Sequence, residues 1–479
     1  MNGAAESGGP TGGNTVTGAP AGGGTTVGDA ANGAPAGGGT TVGDAANGAP
    51  ANGGTVEGPR RTVERLAADF DHHDPELTPD LALLVHREIR ETTPVAYSRA
   101  HGGMWILSRY DDVRAALRDH ETFSSASGVF FPRAEGTPPF APLEYDPPEH
   151  TRFRALMKPP LLLPEARRLA PEIADLVARA VRPVVERGGG DLVRDLAVPL
   201  PLAVVSLAVG FSADARDRIR DLTSNTWARM PRDGDAGGFW PAFAELFQSE
   251  IRRARARSGG DHLSVLVHEE IDGRPVTDAE LHVMLVAYAI AGHETSMNTL
   301  AHLLRHLAER PDLQDRLRAE PYLMPAAVEE ALRLWTPVDH GTRLTTRDVE
   351  AGGVVIPRGS RVVLLTGAAN RDPRAFPEPE EFRLDRTPNR HLTFGHGIHF
   401  CVGAHLARVE FLAVLRELAR HPDYELAGET RRYYENGRHI CLDRLPVRFR
   451  AARIHPAERA PGTSGTPGAS QASRTSRTS

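Results

Sequence analysis

The residues best suited to chemistry surround one cysteine, Cys401, in the C-terminal part of the sequence. Three glycines lie between Phe394 and the end of the motif at Gly403, and they permit tight turns and a close backbone approach to a flat ligand. Apolar residues at helical spacing follow. Cys401 is therefore predicted at a helix N-terminus, where free N–H groups and the helix dipole favour a thiolate.

Three interpretations of this cysteine stay open from the residues alone. Axial ligation of heme iron requires a thiolate held in such a turn. Most lone cysteines, however, are inert small hydrophobic residues. Histidines His391, His396, His399 and His405 suggest zinc, although structural zinc sites usually use paired ligands and no second cysteine lies close by.

A second polar group lies within an apolar pattern that predicts a helix over 278–309. Gly292 costs a helix about 1 kcal/mol relative to alanine, and Thr295 can hydrogen-bond back to a carbonyl of the preceding turn. Together with Glu294, these residues predict a local distortion with polar groups facing inward. The same pattern also describes a kink in an ordinary core helix.

Two further pairs of residues lie at helical spacing. Glu330 and Arg333 are three positions apart on one helix face, as in many surface ion pairs. His150 and Arg154 are four positions apart in a helix predicted to start after two prolines, and a solvated basic face has the same pattern. Neither pair identifies a function by itself.

Taken together, the motifs resemble those of the cytochrome P450 family. Phe394, Gly397, Cys401 and Gly403 match its FxxGxxxCxG heme-binding signature, in a context similar to the soluble bacterial branch. The resemblance implies a heme b cofactor (iron protoporphyrin IX), with Cys401 as the proximal thiolate and metal ligand. It also implies that His399 contacts a heme propionate.

The resemblance assigns roles to the other motifs as well. Glu294 and Thr295 fit the family's oxygen-activation sequence and would relay protons during catalysis. His150, Arg154 and Arg343 would bind heme propionates, for which the guanidinium group is well suited.

For Glu330 and Arg333 the resemblance implies a structural role. The pair would form a buried charge network with the stretch over 369–386 and would support the core on the heme side. It would not be a catalytic dyad.

Composition excludes several classes of protein. The 479 residues carry a formal net charge of −6 and two cysteines, so neither a basic nucleic-acid-binding surface nor a disulfide scaffold is expected. The longest apolar stretch, 197–211, is too short for a membrane span and contains two prolines. Residues 1–58 contain a Gly/Ala/Thr-rich repeat, and both they and residues 456–479 are predicted to be disordered tails.

Residues 59–455 remain as one catalytic domain. Their patterns predict a mainly α fold with small β-sheets, which the resemblance narrows to the cytochrome P450 fold. Helices are predicted over 111–120, 165–182, 278–309 and 326–335, and strands over 104–108, 353–356 and 361–365.

The resemblance implies a heme-thiolate monooxygenase of secondary metabolism. It would insert one oxygen atom of O2, by hydroxylation or epoxidation, into an apolar small molecule such as a terpenoid or polyketide intermediate. Oxidative coupling or desaturation by the same heme, and a non-catalytic heme or zinc binder, remain alternatives. A ferredoxin and its NAD(P)H-dependent reductase would supply electrons to what is expected to be a cytoplasmic monomer.

The substrate side is predicted from the same resemblance. Asp339 and His340 would either anchor a polar group or cap a helix end. The pocket would be lined by residues 128–132, 286–292 and 337–342.

Two surface features have alternative interpretations. An aromatic group forms either a mobile lid or part of the core; its members are Phe239, Trp240 and Phe243. Three arginines after Cys401 form either a docking patch for an acidic partner or a solvated helix face; they are Arg408, Arg416 and Arg420.

Overall fold

The computed structural model describes residues 57–132, 139–226, 239–257, 259–435 and 437–450. The predicted tails lie outside this part of the chain, except that the first helix begins at Glu57, just before the predicted domain boundary. The α-helices are α1 (Glu57–Ala68), α2 (Pro79–Thr92), α3 (Tyr110–Arg118), α4 (Glu149–Met157), α5 (Leu163–Arg168), α6 (Ala170–Glu186), α7 (Pro199–Val209), α8 (Ala213–Thr226), α9 (Phe239–Arg255), α10 (His262–Leu266), α11 (Asp278–Glu309), α12 (Pro311–Ala319), α13 (Met324–Leu334), α14 (Thr366–Ala369) and α15 (Ala404–Leu418).

The strands are short. They are β1 (Val95–Ser98), β2 (Met104–Leu107), β3 (Phe123–Ser124), β4 (Gly189–Asp191), β5 (Glu270–Ile271), β6 (Arg274–Pro275), β7 (His340–Thr345), β8 (Val349–Ala351), β9 (Val354–Ile356), β10 (Arg361–Leu365), β11 (Tyr424–Leu426), β12 (Arg431–Glu435), β13 (His439–Arg444) and β14 (Pro446–Phe449). The prediction of a mainly α fold with small sheets is confirmed.

The central helix, α11, has the predicted bounds. Its start is fixed by a capping box, in which the side chains of Thr277 and Glu280 satisfy each other's backbone N–H groups. The predicted distortion at Gly292 is wrong, because the helix continues through this residue. A Cβ at Gly292 would lie 2.8 Å from Cγ2 of Val205 in α7. The glycine therefore permits two helices to pack closely.

The helix predicted over 165–182 is divided into α5 and α6, with Leu169 between them. Pro171 lies in the first turn of α6. It has no N–H group to donate to the carbonyl four residues earlier. A continuous helix would therefore lose that hydrogen bond, and the proline ring would clash with the same carbonyl.

One mixed sheet holds β7, the strand that carries Arg343, in place. Its strand order is β1-β2-β10-β7-β3, with β10 parallel to β2 and antiparallel to β7. Val362 and Leu364 of β10 belong to one apolar cluster and Val363 and Leu365 to another, as expected of a strand buried on both faces. The remaining strands form the sheets β11-β14-β4, β12-β13, β5-β6 and β8-β9.

The largest apolar cluster packs around α11 and includes residues of α6, α7, α9, α13 and α15. Phe243 of α9 is fully buried in it, which agrees with the interpretation of this residue as part of the core. Phe239 and Trp240 belong to the same helix, but their side chains lie outside the described part of the structure. In the part of the chain that is described, no helix is both long and apolar enough to cross a membrane.

Candidate functional site

The turn that carries Cys401 leads into α15, for which Gly403 is the N-terminal cap. The Cys401 N–H group donates to the carbonyl of Phe394 at 2.8 Å. Gly397 has a φ of 72°, and a Cβ there would lie 2.8 Å from the carbonyl oxygen of Leu117. Only glycine fits at this position, so the motif closes the turn against α3.

The Cys401 side chain is accessible to solvent, although it is surrounded by protein. Burial raises the pKa of its thiol, while the N–H groups of Gly403 and Ala404 and the guanidinium groups of Arg154 and Arg408 act in the opposite direction. A Cβ at Gly403 would lie 3.9 Å from the sulfur. Cys401 is thus an exposed residue of the turn, and a bound metal cation would favour its thiolate.

Four predicted residues form what we call the cationic cluster, defined as His150, Arg154, Arg343 and His399. They come from α4, β7 and the turn before Cys401. The rings of His150 and His399 lie 4.6 Å apart, centre to centre. Burial, followed by the charges of Arg343, His150 and Arg154, lowers the pKa of His399 to about 3. The fold has brought together positive and imidazole groups that are distant in sequence.

The positive charge of the cationic cluster is poorly compensated. Arg343 is 6% exposed, and its guanidinium donates to the carbonyl of its neighbour Thr342 at 2.8 Å. Burial lowers the pKa of Arg343 to about 10. Among the described residues, no carboxylate forms an ion pair with Arg343, and the charge of Asp146 offsets only part of the effect of burial. A buried guanidinium without an anion is costly, so the site is suited to an anionic ligand.

The histidines of the cluster support the same conclusion. His399 Nε2 shares a hydrogen bond of 3.1 Å with Ser125 Oγ, which the sequence did not predict. Within the described residues, His399 Nδ1 is buried without a hydrogen-bond partner. Such orphaned polar atoms are uncommon in proteins and indicate a missing partner.

These residues fit the predicted heme. The cationic cluster would bind its two carboxylates, Cys401 would provide the thiolate, and Gly397 and Gly403 leave the turn free of side chains. Phe394 packs under Arg408, whose guanidinium carbon lies 4.5 Å from the ring centre. The aromatic residue of the motif thus supports the turn from its protein side.

Glu294 and Thr295 lie on a separate element, α11, and both are half-buried. Thr295 Oγ1 donates to the Ala291 carbonyl at 2.7 Å, as predicted. Because the hydroxyl hydrogen is used within the helix, the oxygen remains free to accept a hydrogen bond. The neighbouring His293 is buried, and its Nε2 lies 2.9 Å from the carbonyl oxygen of Val198. Its side chain therefore belongs to the core.

Glu330 and Arg333 form a buried network and not a surface ion pair. Both side chains are 0% exposed and their charged atoms lie 2.8 Å apart. Arg386, the last residue of the stretch over 369–386 that was expected to join this network, contacts Glu330 at 2.9 Å. The remaining donors of Arg333 bond to the carbonyls of Asn370, Pro379 and Glu381. The structural role implied by the resemblance agrees with this geometry.

The histidines near Cys401 do not form a zinc site in the described part of the chain. His391 is bound to Glu329 at 3.2 Å, and His399 belongs to the cationic cluster. Within the same residues, the one group of ligands close enough to hold a metal ion lies elsewhere, at Asp71, His72 and His101.

On the predicted substrate side, the structure brings two of the three stretches together. The Thr342 N–H group donates to the Val129 carbonyl at 2.8 Å, which joins 337–342 to 128–132. Asp339 and His340 are buried, and burial raises the pKa of Asp339 to about 7. The helix-capping interpretation of this pair is wrong, because Trp335 closes α13.

The basic patch predicted after Cys401 needs a correction. Arg408 forms a bidentate ion pair with Glu329, at 2.6 and 2.8 Å, and is half-buried. Arg420 is paired with Glu417 at 2.8 Å. Only Arg416 and Arg420 are exposed, so Arg408 has a structural role that requires a partner 79 residues away.

Comparison with known proteins identifies the family. The family model for cytochrome P450 matches residues 235–432. Cytochrome P450 107B1 of Saccharopolyspora erythraea is 35% identical, over 74% of this chain and 92% of the relative. Beta-dihydromenaquinone-9 omega-hydroxylase of Mycobacterium tuberculosis is 36% identical, over 79% of this chain and 78% of the relative. A structure of a mutant of P450 EryK in complex with erythromycin B aligns with a TM-score of 0.71 and 30% identity, over 79% of this chain and 98% of that one. The chain therefore belongs to the cytochrome P450 family and is a monooxygenase of that family.

Proposed function

We propose that this enzyme holds heme b through Cys401 and inserts one oxygen atom of O2 into an apolar small molecule. The cationic cluster carries the assignment of the cofactor. It is a buried, poorly compensated positive group next to a cysteine turn, and a heme supplies both the two carboxylates and the metal that these residues lack.

When bound, a thiolate-ligated heme supplies the activation of molecular oxygen, for which Cys401 would donate electron density. Arg343, His150, Arg154 and His399 would neutralise and orient the carboxylates. The backbone N–H groups that follow Cys401 would help to keep its sulfur in the thiolate form.

Glu294 and Thr295 are proposed to deliver protons to the reacting oxygen. The Thr295 hydroxyl already donates to Ala291, so its oxygen is oriented to accept a hydrogen bond from a water molecule. A carboxylate one residue earlier in the same helix could exchange protons with solvent and return them to that water. Thr295 would therefore position the water molecule that delivers the proton, and Glu294 would return a proton to that water.

An apolar natural-product intermediate, such as a terpenoid or polyketide, is the proposed substrate class. One relative is named as a hydroxylase of a menaquinone, and the solved structure of another binds erythromycin B. In this chain, the loop over 128–132 lies beside β7 and carries the apolar residues Val129, which is buried, and Phe130, which is half-buried. Hydroxylation or epoxidation would follow from the same chemistry.

Electrons are proposed to come from a ferredoxin and its NAD(P)H-dependent reductase. The enzyme itself is proposed to be a monomer in the cytoplasm. The family requires an external electron donor, and the two cysteines of this chain are too few for an iron–sulfur cluster of its own. Arg416 and Arg420 on α15 would contribute to the contact with an acidic partner.

The cofactor assignment is tested by the carbon monoxide complex of the reduced protein. A cysteine thiolate gives a strongly red-shifted Soret band, which Cys401→Ala should abolish. Cys441→Ala is the matched control, because Cys441 is the other cysteine and is buried in the core. Loss of the band in both variants, or in neither, would contradict the assignment, and so would purified protein that contains zinc and no heme.

The reaction type is tested with candidate substrates that shift the spin state of the ferric protein. Turnover under ¹⁸O-labelled dioxygen should place one labelled atom in the product. A product without label would instead favour oxidative coupling or desaturation by the same heme.

A further inference from the structure

A second polar site lies far along the chain from Cys401, where three segments meet. Asp71 and His72 lie between α1 and α2, and His101 lies between β1 and β2. One ligand atom from each of these residues lies within 4.8 Å of the others. We propose that Asp71, His72 and His101 bind a divalent transition-metal ion, with Zn²⁺ as the best match to two imidazoles and one carboxylate.

His72 has the hydrogen bonding expected of a metal ligand. Its Nε2 lies 2.5 Å from the carbonyl oxygen of Phe131. Since a carbonyl can only accept, Nε2 must carry the hydrogen, and Nδ1 is left with a lone pair. His72 is 1% exposed, and its Nδ1 is buried with no hydrogen-bond partner among the described residues. Metal-binding histidines usually donate their other ring nitrogen to a carbonyl or carboxylate in this way.

Asp71 and His101 complete the ligand set from the solvent side. Asp71 Oδ1 lies 2.8 Å from His101 Nε2, and it also accepts the backbone N–H of His73 at 2.8 Å. A metal ion would take the place of the hydrogen on His101 Nε2, and that hydrogen would move to Nδ1, so that the ring stays a neutral imidazole. The carboxylate is therefore already oriented by the backbone.

The backbone at His101 adopts an uncommon conformation that keeps its ring in this position. Its φ is 51° and its ψ is 34°, in the left-handed region, and it is followed by two glycines with positive φ. Histidine is one of the few residue types enriched in this region, which nevertheless carries strain. Such strain is often found at binding sites, and it is consistent with a ligand that holds the turn.

A metal ion could enter from the surface and would join several segments. The side chains of His101 and Asp71 are 22% and 33% exposed, whereas His72 forms the closed end of the site. Water could fill a fourth position, and so could His73, whose ring centre is 4.4 Å from that of His72. Through His72 and Phe131, the ion would also fix the loop over 128–132.

The experiment titrates Zn²⁺ into the purified, heme-loaded full-length protein by calorimetry with a competing chelator. We expect one high-affinity Zn²⁺ per chain and a higher melting temperature when it is bound. His101→Asn, which tolerates a left-handed backbone, and Asp71→Asn, which keeps an acceptor for the His73 N–H, should each weaken binding by at least about tenfold. His268→Asn removes an exposed histidine elsewhere and should leave binding unchanged.

Melting curves without zinc check that the variants are folded, and two substitutions at the site guard against the failure of either. Absence of saturable binding in the wild type would overturn the proposal. Equal affinity in His101→Asn, Asp71→Asn and the wild type would do the same, as would an equal loss in His268→Asn. Because the readout is zinc affinity, it does not depend on turnover or on the identity of the organic substrate.

Discussion

Two buried groups of charge in this protein are built on opposite principles. In the Glu330 network, Arg333 and Arg386 surround one carboxylate, and their other donors bond to backbone carbonyls. In the cationic cluster, Arg343 has a backbone carbonyl for a partner, and His399 Nδ1 is buried with no hydrogen-bond partner among the described residues.

The difference separates charge used for folding from charge kept for a ligand. A buried ion pair stabilises a fold only when geometry and additional hydrogen bonds offset desolvation, and the Glu330 network meets that condition. The cationic cluster does not meet it without an anion. Burial together with unsatisfied hydrogen bonding therefore identifies the binding site better than burial or charge alone.

The largest expected effect tests the folding side of this comparison. Arg333→Ala leaves Glu330 buried with less compensation and should lower the free energy of unfolding by about 3–5 kcal/mol. Urea denaturation would measure it. Arg420→Ala breaks an exposed pair of the same spacing and should change stability little. Similar losses in the two variants would remove the distinction.

Arg343→Met should produce the reverse pattern. Removing a charge-assisted hydrogen bond to a propionate costs about 1.5–3 kcal/mol, so heme affinity should fall about tenfold to a hundredfold. The heme-free protein should be as stable as the wild type or more so, because an uncompensated buried charge has been removed. Heme transfer to a scavenger protein measures affinity. A loss of stability in heme-free Arg343→Met as large as the loss in Arg333→Ala would contradict the prediction.

Arg386→Ala probes how redundant the Glu330 network is. Arg386 contacts Glu330 at 2.9 Å, but Arg333 would still neutralise the carboxylate. We therefore expect a smaller loss of stability, of about 1–2 kcal/mol. Double-mutant analysis with Glu330→Gln checks it, since the loss should shrink when the carboxylate is already absent. If Arg386→Ala lowers the free energy of unfolding by the same amount when Glu330→Gln is present, the effect of Arg386 comes from its contacts with backbone carbonyls.

The last prediction concerns the pH dependence of stability. The pKa of His399 is lowered from 6.5 to about 3 in the folded chain, so between these values the unfolded chain binds a proton that the folded chain does not. Stability is therefore full with respect to this histidine above pH 6.5. The free energy of unfolding falls as the pH drops toward 3, by up to about 1.4 kcal/mol per pH unit. His399→Asn should flatten the acid limb of stability of the heme-free protein, and His268→Asn should not. Parallel pH profiles for wild type and His399→Asn would argue against a depressed pKa.

Several features could be predicted from sequence because neighbouring residues set them. The start of α11 follows from its capping box, the Cys401 turn from its glycines, and the Glu330–Arg333 contact from helical spacing. The distortion at Gly292 was not realised, because the partner of that glycine is Val205 on another helix. The sequence contained no signal for that contact.

The sequence by itself determined the Cys401 turn, the central helix and the resemblance that led to the family. Only the tertiary structure decided which charges are satisfied: Arg408 pairs with Glu329, Arg386 with Glu330, and Arg343 with no carboxylate in the described residues. Local motifs depend on backbone preferences over a few residues. Pairing and desolvation of charges depend on which distant segments meet, so the division between structural and ligand-binding arginines emerges with the fold.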